Sequence, residues 1–219
     1  MDFRRKWAQI LAANAKRYAK AINHNQLALY FIHSRAVSFN ARSRFHSAVT
    51  EFRKALDFLD SISVSKINQS STQQLRTRLL REMAVCRAKE TKNSSKAKNE
   101  ILNSLDMAEA IGESHNIDDA LVRCVEGFIY FDDLIKAEAY LDKLYCNWSR
   151  LDPHLKAITI KMDAKLALAQ NNDNRAEEMI FKGLQWSQEH HFHHQTYHFT
   201  MLNWNIKQYH NNNRQRIIT

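Results

Sequence analysis

Glycine and proline are nearly missing from this chain. It holds three glycines and one proline in 219 residues, where average usage would supply roughly 12 in every hundred. Hairpins, phosphate-binding loops and dinucleotide-binding crossovers draw on glycine for positive φ or for close backbone approach. Gly112, Gly127 and Gly183 are too few and too scattered to supply them. Most nucleotide-binding α/β folds, β-sandwiches and barrels are thereby excluded, and an almost all-helical chain is left. The length allows one or two domains and a sizeable core.

Paired cysteines are missing too. Cys86, Cys124 and Cys146 are odd in number and lack metal-ligand spacing, which argues against a disulfide scaffold and for core cysteines in a reducing, cytoplasmic setting. No run of about 18 apolar residues exists, so no membrane span is expected. The N-terminus has no secretory core, since Asn14 and Lys16 break the stretch after Arg4, Arg5 and Lys6. Catalytic constellations are also wanting. The serines stand in linkers or mid-helix, no glycine-rich phosphate loop occurs, and helix capping accounts for Asp118-Asp119, Asp132-Asp133 and Glu177-Glu178. No enzymatic activity, metal or cofactor is expected. Acidic residues are in deficit: Lys and Arg number 32 against 23 Asp and Glu, a formal net charge of +9, which favours acidic partners.

What is present is helical periodicity. It predicts helices over about 2–22, 26–41, 44–60, 72–90, 95–112, 117–131, 134–149, 154–170, 173–189 and 193–209. The breaks carry their own chemistry. Asn93-Ser94-Ser95 and Asp118 or Asn116 are read as caps, and Gly112 as a C-terminal stop. Asp152-Pro153 is a helix start, and Asn171-Asn172-Asp173-Asn174 a turn feeding an acidic first turn. The Ser-, Asn- and Gln-rich stretch 61–71 is the linker candidate. In the first segment Phe3, Trp7, Ile10, Leu11, Tyr18 and Ile22 share a face, as in a docking helix, a presequence or a membrane-surface helix.

A repeat is visible beneath the helices. Ile32, Ala36, Phe39, Phe45, Ala48, Phe52 and Ala55 recur, at identical spacings of 4, 3, 6, 3, 4 and 3, as Leu121, Val125, Phe128, Leu134, Ala137, Leu141 and Leu144. A third copy runs Ile160, Ala164, Ala167, Asp173, Ala176, Ile180, Gly183, and a weaker one includes Val85, Ala88, Ala97 and Ile101. Small residues in both helices let a pair approach closely, and large apolar ones lock it to its neighbour. The pattern resembles the tetratricopeptide repeat, best over 29–62, where Ala36, Phe39, Ala48, Phe52 and Ala55 fall on signature positions. It departs from that family in a period near 40, in lacking most of the Trp-Leu-Gly-Tyr set, and in lacking the terminal proline. The longer period is similar to the helical repeat domains of bacterial regulators.

The resemblance implies an all-α, right-handed stack of antiparallel helix pairs. The repeats would occupy 26–190, with a capping helix at 1–25 and a capping helix and polar tail at 191–219. It also implies a concave groove for a peptide or protein partner, with a possible regulatory role. The groove-facing candidates, read as exposed positions of the first helices, are Tyr30, His33, Val37 and Asn40, then Arg78, Glu82 and Cys86, then Arg123 and Glu126, then Lys161 and Lys165. The family's carboxylate clamp is not reproduced, because His33, Val37, Glu82, Cys86, Val122 and Glu126 stand at its positions.

Three further features stay open. His190, His194 and His198 would stack on an unbroken helix as metal ligands, a pH-sensitive surface or a plain polar end, although a turn near 191 would break them apart. Arg42, Arg44, Phe45 and Arg53, with Arg76, Arg78, Arg81 and Arg87, raise nucleic acid as the alternative partner. Tyr197, Met201, Trp204 and Gln208 form a mostly apolar stripe that would cap the stack or, left unpacked, become a contact for a homodimer; the tail 211–216 reads as disordered.

Overall fold

The computed structural model describes residues 24–61, 69–91 and 95–218. The expected helix at 2–22, the interior of the 61–71 linker and the cap at Asn93-Ser94 lie outside them. Among the described residues there are nine α-helices, one 3-10 turn and no strand. The helices are α1 (His24–Ala41), α2 (Phe45–Ser61), α3 (Gln69–Glu90), α4 (Ser95–Ile111), α5 (Ser114–Tyr130), α6 (Leu134–Cys146), α7 (Pro153–Ala169), α8 (Asp173–Glu189) and α9 (His193–Ile218), with the 3-10 turn at Trp148–Arg150 between α6 and α7. The boundaries follow the predicted ones closely. The main exceptions are α9, which runs past 209 through the segment read as a disordered tail, and the 134–149 helix, which stops at Cys146. No described helix is long and apolar enough to cross a membrane.

The chain divides into two compact units, Met1–Glu90 and Thr91–Thr219. In the first, α1 packs on α2 and α2 on α3. Its core holds Leu29, Ala36, Ala48, Phe52, Ala55, Leu59, Leu79 and Cys86. Glu51, buried in this unit, is satisfied by Arg35 of α1 at 3.2 Å and Lys54 at 2.9 Å, while Arg76 of α3 pairs with Asp60 of α2. In the second unit each helix from α4 to α9 packs on its successor, and α5 also packs on α7 and α7 on α9. Helices α5, α7 and α9 therefore share a layer. The weaker repeat copy is split between the units, since Val85 and Ala88 lie before the division and Ala97 and Ile101 after it.

The turns between helices repeat as closely as the helices do. Ser43, Asp132, Asn171 and His191 all adopt left-handed φ of 56–59°. Behind each, the next residue's N–H donates back across the turn: Arg44 to Phe39, Asp133 to Phe128, Asn172 to Ala167 and Phe192 to Ser187, at 2.8–3.0 Å. The left-handed residue itself donates to Asn40, Ile129, Leu168 and Gln188 respectively. This is the Schellman closure, and the residue after it begins the next helix. Asp133 and Asn172 cap that helix by accepting from Lys136 N and Arg175 N. Three of the four copies stand five residues ahead of Ala48, Ala137 and Ala176, which are wholly buried. The fourth, ahead of Thr196, is a copy that apolar spacing alone misses. Positive φ is thus supplied mainly without glycine, and the glycine count underestimates the number of tight turns. Gly112, at φ 77°, does end α4 as expected.

Where the turn is missing, between α6 and α7, other contacts replace it. Asp152 caps α7 by accepting from His154 N and Leu155 N at 2.8 and 2.9 Å, with Pro153 at the first turn. Tyr145 stacks on Trp148, Trp148 meets Trp186 of α8, and Trp186 Nε1 donates to Pro153 O at 2.9 Å. Asp118, read as a cap, is instead a buried acceptor for Arg150 at 2.9 Å and Asn147 at 3.3 Å. Glu113 occupies the N-cap of α5, without a side-chain bond.

A second network, anchored on buried Asp163, crosses three helices. Asp163 of α7 accepts from Tyr145 at 2.6 Å and from Arg175 of α8 at 2.8 Å, and Arg175 also donates to Glu138 of α6 at 2.9 Å. Bonds from Arg175 and then Gln170 hold the Glu138 carboxyl below its usual range. Burial and the bond to Asp163 push the Tyr145 phenol far up, so it stays a donor.

Candidate functional site

The shared layer of α5, α7 and α9 gathers polar groups from all three helices. Glu126 of α5 is only 5% exposed. Its carboxylate accepts from Arg123 at 2.9 Å, three residues earlier on the same helix, and lies 3.8 Å from Lys165 Nζ on α7. Lys161, one turn before Lys165, donates to Gln195 Oε1 of α9 at 3.2 Å. Gln195 Nε2 stands 3.5 Å from His154 Nε2 at the start of α7. Next along α9, His194 and His198 face each other with their Nε2 atoms 3.0 Å apart, so one ring donates and the other accepts.

The electrostatics follow from that layout. Burial first, then Lys161, His194 and Lys165, push the His198 ring down to about 4, against an opposing pull from Glu126. His194 is lowered by burial and by Lys161 and His154. The described contacts of the strip thus bring the Arg123, Lys161 and Lys165 cations together with the Glu126 carboxylate and with two rings, His194 and His198, held below the usual imidazole range.

Four of the sequence-derived candidates, Arg123, Glu126, Lys161 and Lys165, come together here. His194 and His198 belong with them, although the sequence presents them only as part of a histidine run. His190 does not, because it ends α8 and stacks on Trp186 with ring centroids 4.2 Å apart. The turn at His191 separates it from the other two. Among the described residues no group of three or more His, Cys, Asp or Glu is arranged to hold a metal ion.

In the first unit the candidates meet less completely. His33 of α1 lies edge-on to Phe52, with centroids 6.0 Å apart. Its ring is lowered by burial and by Arg78, with Glu82 acting the other way, so these three share a neighbourhood. Tyr30 and Val37 are exposed on α1. Asn40 accepts from Lys89 Nζ at 3.4 Å. Three expectations of exposure are corrected: Glu82, Glu126 and Cys86 are all buried. The Glu126 carboxylate turns inward toward Arg123 and Lys165, and Cys86 belongs to the core cluster. Arg81 of the second basic group is likewise buried, at 2% exposure. Cys124 is a core cysteine as expected, whereas Cys146 is exposed at the end of α6.

Comparison with known proteins returns no match: no family, no curated protein and no solved structure is similar to this chain.

Proposed function

We propose that this chain is a non-enzymatic scaffold that binds a peptide or protein segment, as a tetratricopeptide-like right-handed stack whose inner helices line a groove. The observation that supports this most is the shared layer of α5, α7 and α9, which presents one polar strip drawn from three helices. Stacked helical pairs of this kind offer long surfaces that no single pair could form. The reading carries with it a repeat region over 26–190 between flanking segments 1–25 and 191–219, a cytoplasmic setting and a regulatory role for the bound partner.

The test is affinity capture with the intact chain and with an Arg123→Ala/Lys161→Ala/Lys165→Ala variant of unchanged helicity. The expected result is a polypeptide recovered by the first and lost by the second. Equal recovery by both would remove the strip from the function.

The second reading, nucleic-acid binding, is favoured by exposed Arg42, Arg44 and Arg53 in the first unit, while buried Arg81 adds nothing to it. A salt titration separates the two. Nucleic-acid affinity falls steeply with the logarithm of salt, and a mixed polar and apolar peptide surface responds weakly.

A further inference from the structure

The histidine run contains one paired element. His194 and His198 stand one turn apart on α9, so their side chains share a face of the helix. That turn is held firmly, because the neighbouring Gln195 and Phe199 are both buried. His194 is exposed and His198 half-buried, so the pair sits at the edge of the core, open to solvent. The two Nε2 atoms face each other at 3.0 Å. The ring centroids are 4.4 Å apart, with the rings nearly perpendicular. A straight N–H···N bond between imidazoles would hold the rings further apart, so the nitrogens are not aimed squarely at each other.

We propose that His194 and His198 chelate a divalent copper or nickel ion through their Nε2 atoms. Imidazole nitrogens bind such ions at about 2.0–2.1 Å. At that bond length, two nitrogens 3.0 Å apart subtend roughly 95° at a common ion. Square-planar and octahedral ions ask for about 90° between neighbouring ligands, and tetrahedral zinc for about 109°. The spacing therefore favours copper and nickel, and copper also leads in intrinsic affinity. The proton that one ring holds at Nε2 in the inter-ring bond moves to Nδ1 of that ring, which frees both Nε2 lone pairs for the ion. The remaining positions of the ion go to water or to a donor from another molecule. Lys161 and Lys165 of α7 lie near the pair, with Glu126 of α5 acting in the opposite sense. His154 lies near His194. The lysines oppose a cation, and two protein ligands are fewer than a closed structural site supplies. The affinity expected for copper is accordingly modest, on the order of 10 μM. The inference goes beyond the scaffold reading and does not depend on it.

The experiment titrates the full chain, free of any histidine tag, with copper(II), nickel(II) and zinc(II) salts near neutral pH, by calorimetry. Expected is a saturable copper site, with zinc weaker by at least about tenfold. His194→Ala and His198→Gln should each weaken copper by at least about tenfold, because the chelate loses one arm. His193→Ala, in the same run but outside the pair, should leave it within about twofold. Electron paramagnetic resonance of the copper-loaded chain should show nitrogen coupling from two imidazoles, reduced to one in each paired variant. Far-UV circular dichroism checks that the variants fold. Should His198→Gln lose helicity, the exposed substitution His194→Ala decides alone.

Copper affinity unchanged by His194→Ala would overturn the proposal and place the ion elsewhere in the chain. So would a loss as large in His193→Ala, zinc bound as tightly as copper, or no copper binding below about 1 mM. None of these outcomes bears on the scaffold reading, whose own test uses Arg123, Lys161 and Lys165.

Discussion

At the scale of single residues, the position of His198 makes its protonation costly. Its ring titrates at about 4, against about 6.5 in an unfolded chain. As pH falls, the unfolded chain takes up the proton first. Stability is therefore full above the unfolded value, falls as pH drops through the window between the two values, and levels off below the lower one. His33 and His194 are also lowered, so they act with the same sign. We expect the melting temperature to fall between about pH 7 and about pH 5, and His198→Gln to shrink that fall. Thermal melts at the two pH values check this, and an unchanged difference in the variant would clear His198. This behaviour is only partly legible in the sequence. A histidine run signals titration near neutral pH, but the direction of the shift is set first by burial and then by lysines more than thirty residues away along the chain, and both depend on packing. Two acidic residues read as exposed or capping, Asp118 and Glu126, turned inward for the same reason: their cations arrive from elsewhere in the chain or from the preceding turn of the same helix.

At the scale of elements, the turns and the close approaches decide which hairpins form. A left-handed residue other than glycine costs roughly 1 kcal/mol or more. Ser43→Gly should therefore stabilise the α1–α2 turn by up to about 1 kcal/mol, and Gly112→Ala should destabilise the α4–α5 turn by at least as much. Urea unfolding of both variants measures it. The glycines inside helices separate by a different argument. A Cβ on Gly183 would stand 2.2 Å from two atoms of the Phe199 ring, a rigid group in the core. One on Gly127 would meet only the movable end of Ile101, with every other neighbour at 3.5 Å or beyond. Gly183→Ala should lose about 1–3 kcal/mol to overpacking. Gly127→Ala should stay within about 1 kcal/mol of neutral, because the gain in helix propensity offsets the shift of Ile101. Equal effects would contradict the packing of α8 on α9. The element boundaries themselves were legible, since apolar periodicity and caps act within a few residues. The turns at 171–174 and near 191 were located too, but the Schellman closure common to all four was not, because Ser, Asp, Asn and His at those positions lack glycine's obvious mark.

At the scale of the whole molecule, equivalent positions recur in both compact units. Ala48 of the first and Ala137 of the second are wholly buried at helix contacts. Ala48→Arg and Ala137→Arg each force a long charged side chain into a site sized for a methyl group. Each should lose more than about 3 kcal/mol, through overpacking and an unpaired buried charge. Circular dichroism melts test this, and wild-type melting of either variant would refute the shared register of the repeats.

Among the described residues, the existence of the helices, most of their ends and the small residues at which pairs touch were settled by the amino-acid sequence alone, because each depends on neighbours within one or two turns. Which helices skip a partner to share a layer was decided only by tertiary structure. So was the meeting of Lys161 and Lys165 with His198, and so was the exposure of Tyr197 and Trp204. Those outcomes depend on the angle at which one hairpin settles on the next, a sum over many long-range contacts that no local pattern encodes.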